Sequence, residues 1–174
     1  MRPGGVLFLD LSTQIGWVYG HPADDAVPLW DVKKLPEGRD YGYIFNSVQN
    51  YIEDLLGEHQ PAKVGIEDMI PQRNNNVHTA RLTGGIHAIV DLVCFQNEIE
   101  AVRVHVSRMR AAVIGRAQLT PLEKAVRPRL SVKTQIVEPW CISRGWGAIT
   151  SHDARDAAIG FAYLTGERAP RGKR

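Results

Sequence analysis

The chain has 174 residues, of which 44% are hydrophobic, and its mean hydropathy is −0.22. This length and composition predict one globular domain with a substantial core. The first apolar run, residues 6–9, ends at Asp10; a secretory signal needs roughly 7–15 apolar residues and a membrane span about 20. We therefore expect a cytoplasmic protein.

Charge is distributed unevenly along the chain, although the net charge is only +2. Residues 1–100 contain 7 Lys and Arg against 14 Asp and Glu, whereas residues 101–174 contain 14 against 5. A basic half is typical of proteins that bind a polyanion, but solvated helices also carry such a surplus. We expect a single domain over residues 1–166, followed by a basic, flexible tail over 167–174.

The pattern of apolar residues predicts an α/β fold. Strands are indicated at residues 6–11, 16–20, 29–33, 63–67 and 101–106. Helices are indicated at residues 41–56, 77–97, 107–114, 133–144 and 152–165. Three successive strands, followed by alternating helices and strands, predict a mixed β-sheet flanked by helices. Residues 115–131 contain Gly and Pro among many basic residues and indicate an irregular connection.

Cys94 and Cys141 are far apart and lack the spacing of a zinc site. Cys94 lies in an apolar helical run, which predicts a small buried hydrophobic side chain. A cytosolic protein is not expected to join the two cysteines in a disulfide.

Two acidic residues stand at the ends of apolar strands. Asp10 follows four apolar residues, and Glu67 follows Val64-Gly65-Ile66. An ionised carboxylate in such a place is costly unless a cation or hydrogen bonds compensate it. Asp10 could instead cap a turn, and Glu67 could be a salt-bridged residue at the sheet edge.

A second pair of acids lies in the last predicted helix. Asp153 and Asp156 are three residues apart, which places them on one helix face. Asp153 also fits a capping box with Thr150, and an acid in the first turn suits the helix dipole. Asp156 has no such explanation, and the residues after it, Ala157 and Ala158, suit close packing on a sheet.

Four carboxylates from two strand ends and one helix suit a hard divalent cation such as Mg²⁺. Two ions a few ångströms apart would activate water and stabilise the charge that develops in phosphodiester hydrolysis, leaving a 5′ phosphate and a 3′ hydroxyl. His152 could position or deprotonate the attacking water, could line the metal site, or could be an exposed first-turn residue.

Together, Asp10 with its Gly16-Trp17 hairpin, Glu67, and the Asp153-x-x-Asp156-Ala-Ala helix resemble RuvC-type Holliday-junction resolvases of the ribonuclease H-like superfamily. The resemblance extends in order and spacing over nearly the whole chain. It implies a mixed ribonuclease H-like sheet, with three antiparallel strands and then parallel ones. It also implies a Mg²⁺-dependent homodimer that acts on four-way junctions in DNA recombination and repair.

In this family the residues that match Asp10, Glu67, Asp153 and Asp156 hold two Mg²⁺ ions, for which Mn²⁺ is expected to substitute. Residues 106–115 and 133–137 resemble the family's basic segments, which implies that Arg108, Arg110 and Lys133 lie near DNA phosphates. The loop with Arg73 and Asn75 could contact a strand, although Asn is equally expected in a turn. Ordinary solvated charge is the alternative for the basic residues.

One departure from the family follows the strand-end glutamate. Many bacterial members carry an aromatic wedge there, whereas here Asp68-Met69-Ile70 follows. Ile70 could serve as an apolar wedge without stacking. The departure puts junction selectivity and cleavage-sequence preference in doubt, and it fits a phage-type or divergent resolvase.

Three other functions compete with this hypothesis. A nuclease of the same fold could cut RNA–DNA hybrids or other branched DNA. A non-catalytic nucleic-acid-binding domain could share the fold, but the presence of all four acids argues against it. Residues 10–16 are also similar to the phosphate loop of actin-like kinases, but those proteins need a second lobe, for which 174 residues are too few.

Overall fold

The computed structural model describes residues 4–22, 24, 26–68, 77–121 and 132–169, with only the backbone of residues 133 and 134. The strands are β1 (Val6–Leu11), β2 (Gln14–Gly20), β3 (Leu29–Lys34), β4 (Lys63–Glu67) and β5 (Glu100–Val104). The helices are α1 (Tyr41–His59), α2 (Val77–Gln96), α3 (Val106–Ile114), α4 (Glu138–Ser143) and α5 (His152–Leu164). A π-helical turn, Lys133–Val137, precedes α4.

The strands form one mixed sheet in the order β3-β2-β1-β4-β5. β1, β2 and β3 are antiparallel neighbours, and β4 and β5 extend the sheet in parallel from β1. The predicted α/β fold is confirmed, with its antiparallel strands first and its parallel strands after them.

Alternating side chains of the sheet contribute to two separate cores. Leu7, Leu9 and Ile66 are fully buried on the face that α1 and α2 cover. Val6, Phe8 and Val18 point to the opposite face, where α3, α4 and α5 pack. Because successive strand residues point to opposite faces, Asp10 lies on the same face as Phe8, which is the face of α5.

Some predicted boundaries were wrong by a few residues. β5 ends at Val104 and not at residue 106, because His105 is the N-cap of α3 and its Nδ1 accepts a hydrogen bond from the Ser107 backbone N–H (3.2 Å). The helix predicted over residues 133–144 begins with the π-helical turn and becomes α-helical at Glu138. Most of the predicted irregular connection, residues 122–131, lies outside the described residues.

Both cysteines are unpaired, and Cys94 is buried, as expected. Cys141 is buried as well. Burial raises the pKa of the Cys94 thiol to about 11 and that of Cys141 to about 12. Within the described ranges, none of the helices is both long and apolar enough to cross a membrane.

The first residues of the predicted tail make contacts with the domain. Glu167 accepts a hydrogen bond from Arg144 Nε (3.0 Å), and the Ala169 N–H donates to the Ala112 carbonyl (2.8 Å). Residues 170–174 lie outside the described part of the chain.

Candidate metal centre

Three of the four predicted acids come together at one end of the sheet. Asp10, Glu67 and Asp156 each offer a carboxylate oxygen, and these oxygens all lie within 4.8 Å of one another. Asp10 and Asp156 are buried, with 8% and 2% of their surface exposed, and Glu67 is partly buried. We call these three residues the acidic cluster.

Strand register explains why Asp10 and Glu67 are neighbours. β1 and β4 are adjacent and parallel, and Leu9 pairs with Ile66. One residue further along each strand, Asp10 and Glu67 both point to the face opposite those two core residues. Asp10 is inside β1, opposite Gly16 of β2, so it is not a turn residue. Glu67 ends a strand that lies between β1 and β5, so it is not at the sheet edge.

Close packing of α5 on the sheet brings Asp156 to the two strand acids. Ala154, Ala157 and Ala158 are fully buried in the core beneath the helix, as the small residues after Asp156 predicted. A Cβ atom added to Gly16 would lie 2.4 Å from the Asp153 carbonyl carbon and 2.7 Å from the Ala154 nitrogen. Only glycine at position 16 allows this approach.

Asp153 lies one turn before Asp156 but does not belong to the acidic cluster. It is partly exposed in the first turn of α5. The capping box with Thr150 was wrong, because Ser151 is the N-cap and its side chain makes no capping hydrogen bond. His152 is the first residue of α5 and is exposed; it is also outside the cluster, and its catalytic role stays a prediction.

Arg110 of α3 is in direct contact with the cluster. Its Nη2 donates to Asp156 Oδ1 at 2.6 Å, and the exposed fractions of the two side chains are 12% and 2%. Among the described residues, the buried Nε atom of Arg110 has no hydrogen-bond partner. The resemblance implied a residue near DNA phosphates, whereas here the guanidinium is paired with an acid of the candidate site.

The other residues predicted to contact DNA are either exposed or outside the part of the chain whose side chains are described. Arg108 is exposed on α3. Arg73, Asn75 and the possible wedge Ile70 lie outside the described residues, as does the side chain of Lys133. Contact of these residues with DNA therefore stays a prediction.

Arg155 is a site-supporting residue that sequence reasoning missed. Its side chain is buried, its Nε donates to the Ile149 carbonyl (2.7 Å), and its Nη2 donates to Glu138 Oε1 (3.1 Å). These bonds connect α4 and the loop before α5 to the residue next to Asp156. The sequence did contain a signal for this role: Arg155 is a long basic residue directly followed by Asp156 and two alanines, in a helix that is expected to pack closely on the sheet.

The residues of the acidic cluster fit a divalent metal. Three convergent carboxylates of low exposure repel one another and supply only hard oxygen ligands, which Mg²⁺ and Mn²⁺ accept. One cation within reach of all three would neutralise more charge than the Arg110 guanidinium alone does.

Comparison with protein-family models and with curated protein sequences gives no match. Among solved structures, Thermus thermophilus RuvC is similar, with a TM-score of 0.65 and 18% identity over 95% of this chain and 99% of that chain. T. thermophilus RuvC in complex with a Holliday junction substrate has a TM-score of 0.63 and 16% identity over 96% and 99% of the two chains. The yeast mitochondrial Holliday junction resolvase Ydc2 has a TM-score of 0.65 and 11% identity over 95% and 79%. The chain therefore has the ribonuclease H-like fold of RuvC-type resolvases.

Proposed function

We propose that this protein is a metal-dependent endonuclease that resolves four-way DNA junctions by paired nicking and leaves 5′ phosphate and 3′ hydroxyl ends. The observation that carries the proposal is the acidic cluster of Asp10, Glu67 and Asp156. The similar solved structures support it at the level of fold, since two are RuvC and one is a mitochondrial Holliday junction resolvase. Recombination and repair of DNA are the processes in which such an activity would act.

Asp10, Glu67 and Asp156 would hold Mg²⁺, with Mn²⁺ as a substitute. When bound, such a cation supplies water activation and charge stabilisation for phosphodiester hydrolysis. The three side chains come from β1, β4 and α5, so the fold orients the site before substrate arrives. Asp153, on the same helix and partly exposed, is our candidate for a further ligand when a second ion binds.

Residues around the cluster would bind and orient the DNA. Exposed His152 is placed by sequence one turn before Asp156, where it could accept a proton from attacking water. Arg108 is exposed on the same helix as Arg110 and would contact a phosphate. We assign a further phosphate contact to Lys133 on the basis of the sequence resemblance alone. Contacts of Arg73 and Asn75 with a DNA strand are assigned from the sequence alone.

Paired nicking of two strands needs two active sites, and one chain carries one acidic cluster among its described residues. We therefore propose a homodimer, and α2 offers a surface for it. Val77, Leu92 and Phe95 are exposed by 84%, 45% and 81%. Together with exposed Ala88, these three residues lie on one side of the helix, at successive intervals of eleven, four and three residues. We call Val77, Ala88, Leu92 and Phe95 the exposed α2 face.

A cleavage assay on defined DNA forms tests the proposal. End-labelled four-way junction, flap, RNA–DNA hybrid and linear duplex are incubated with the protein in Mg²⁺, and the products are separated on denaturing gels. We expect symmetric nicks confined to the junction, and T4 DNA ligase should reseal them because the ends are 5′ phosphate and 3′ hydroxyl. Cleavage preferring the hybrid or the flap would support another nuclease of this fold and overturn junction resolution.

Two variants separate catalysis from binding. Asp10→Asn removes one charge from the acidic cluster and should abolish cleavage while junction binding in a gel-shift assay persists. Asp54→Asn makes the same change on the exposed surface of α1 and should cut like the wild type. Normal cleavage by Asp10→Asn would show that the acidic cluster is not the active site. Junction binding without cleavage by the wild type would favour a non-catalytic binding domain.

A further inference from the structure

The contact between Arg110 and Asp156 joins a cation to one of the oxygens that a metal ion would use. The residues are 46 positions apart, and the contact forms because α3 packs against α5. With 12% and 2% of the two side chains exposed, the pair is shielded from solvent. Surface ion pairs contribute little, but a shielded pair interacts strongly because water screens it poorly.

The described residues do not supply a hydrogen-bond partner for every donor of the same guanidinium. Arg110 Nε is buried and has no hydrogen-bond partner in the part of the chain that the structure describes, although an arginine side chain has five N–H donors. A buried donor without a partner costs free energy. The ion pair with Asp156 therefore holds Arg110 in a position that the surrounding side chains do not fully stabilise. This favours an ion pair in which Asp156 can exchange Arg110 for another cation over a permanent structural ion pair.

We propose that Arg110 is a positioning residue that acts as a counter-ion for Asp156, and that a divalent cation must displace it in order to use this carboxylate fully. Arg110 thereby sets the metal affinity of the acidic cluster. It neutralises part of the repulsion among Asp10, Glu67 and Asp156 in the absence of a cation. It also repels an incoming cation, and both effects weaken metal binding. This inference rests on the proposed function, because it requires the cluster to bind metal.

A merely structural role predicts a different result. If Arg110 only supports the packing of α3 on α5, its replacement should loosen the cluster and weaken metal binding. A counter-ion makes the opposite prediction, since its removal leaves three mutually repelling carboxylates that a cation relieves. The sign of the change in metal affinity therefore decides between the two roles.

The test is isothermal titration calorimetry with Mn²⁺ and no DNA. Arg110→Gln removes the charge and keeps hydrogen-bonding groups, whereas Arg110→Met fills the same buried space with an unbranched apolar chain. We expect the Mn²⁺ Kd of either folded variant to fall by about fivefold or more, which is the lower end of typical coupling between sites. Arg110→Lys keeps the charge and should stay close to the wild-type Kd.

Arg108→Gln is the matched control, because it removes the same charge from an exposed position on the same helix. Its Mn²⁺ affinity should be nearly unchanged, since solvent and salt screen an exposed charge. Circular dichroism establishes which variants fold. An unchanged or weaker Mn²⁺ affinity in the folded neutral variants would overturn the role of Arg110. If neither the wild type nor any variant binds Mn²⁺, the proposed metal-dependent function fails as well.

Discussion

Replacing Gly16 by alanine should separate the acidic cluster without removing any of its carboxylates. Gly16 pairs with Asp10 across the β1–β2 ladder and also contacts the first turn of α5. It therefore lies between the strand that holds Asp10 and the helix that holds Asp156. A methyl group here must push these two elements apart.

The size of the displacement follows from the contact distance. The new Cβ would lie 2.4 Å from the Asp153 carbonyl carbon, whereas non-bonded carbon atoms settle at about 3.5–4.0 Å. The backbone of α5 must therefore move by about 1 Å, because no flexible side chain can yield. Overpacking of this kind costs about 1–3 kcal/mol of unfolding free energy. A misplacement of about 1 Å reduces catalysis by about 100-fold.

Urea unfolding followed by tryptophan fluorescence measures the stability loss, and Mn²⁺ titration and junction cleavage measure the site. Gly57→Ala is the control, because position 57 is exposed within α1 and an added Cβ would meet nothing within 4 Å. That control should gain about 0.5–1 kcal/mol from the better helix propensity of alanine. If Gly16→Ala keeps wild-type stability, Mn²⁺ affinity and cleavage, the close approach of α5 to β2 is wrong.

Three other predictions concern the rest of the molecule. Burial lowers the pKa of His59 below its usual 6.5, so the unfolded chain binds the proton first and the free energy of unfolding falls as pH drops below about 6.5. His59→Phe should flatten this decline when urea unfolding is measured from pH 7 to 5. The same decline in the variant and the wild type would contradict the prediction. In the same assay, Arg155→Met should lower the free energy of unfolding by about 1–3 kcal/mol, because it leaves the buried Ile149 carbonyl without its hydrogen-bond donor. A loss under about 0.5 kcal/mol would refute the stabilising role of Arg155. Phe95→Glu should produce monomers in sedimentation, whereas Ile142→Glu, at an exposed position of α4, should not. A Phe95→Glu dimer would exclude the exposed α2 face.

Much of the fold was predictable because strands and helices leave local periodic patterns. Short apolar runs placed β1 and β4 at their observed bounds, and helical spacing placed α1, α2 and α5. The expectation that Asp10, Glu67 and Asp156 converge came from similar local evidence: an acid where a buried apolar residue belongs, and a helix face of small residues. Element ends were less predictable, since His105 caps α3 instead of continuing β5.

By itself the sequence determined the mixed sheet, the acids at its strand ends and the helix that carries Asp156. These features can be recognised because apolar residues recur along the chain with the period of a strand or of a helix, 2 or 3.6 residues. Only the tertiary structure decided which acids lie within reach of one another. Asp153 shares a helix face with Asp156 but remains outside the cluster, and Arg110 takes its place beside Asp156. The physical reason is that both outcomes depend on how α3 and α5 pack on the sheet, which is set by contacts between residues distant in the chain.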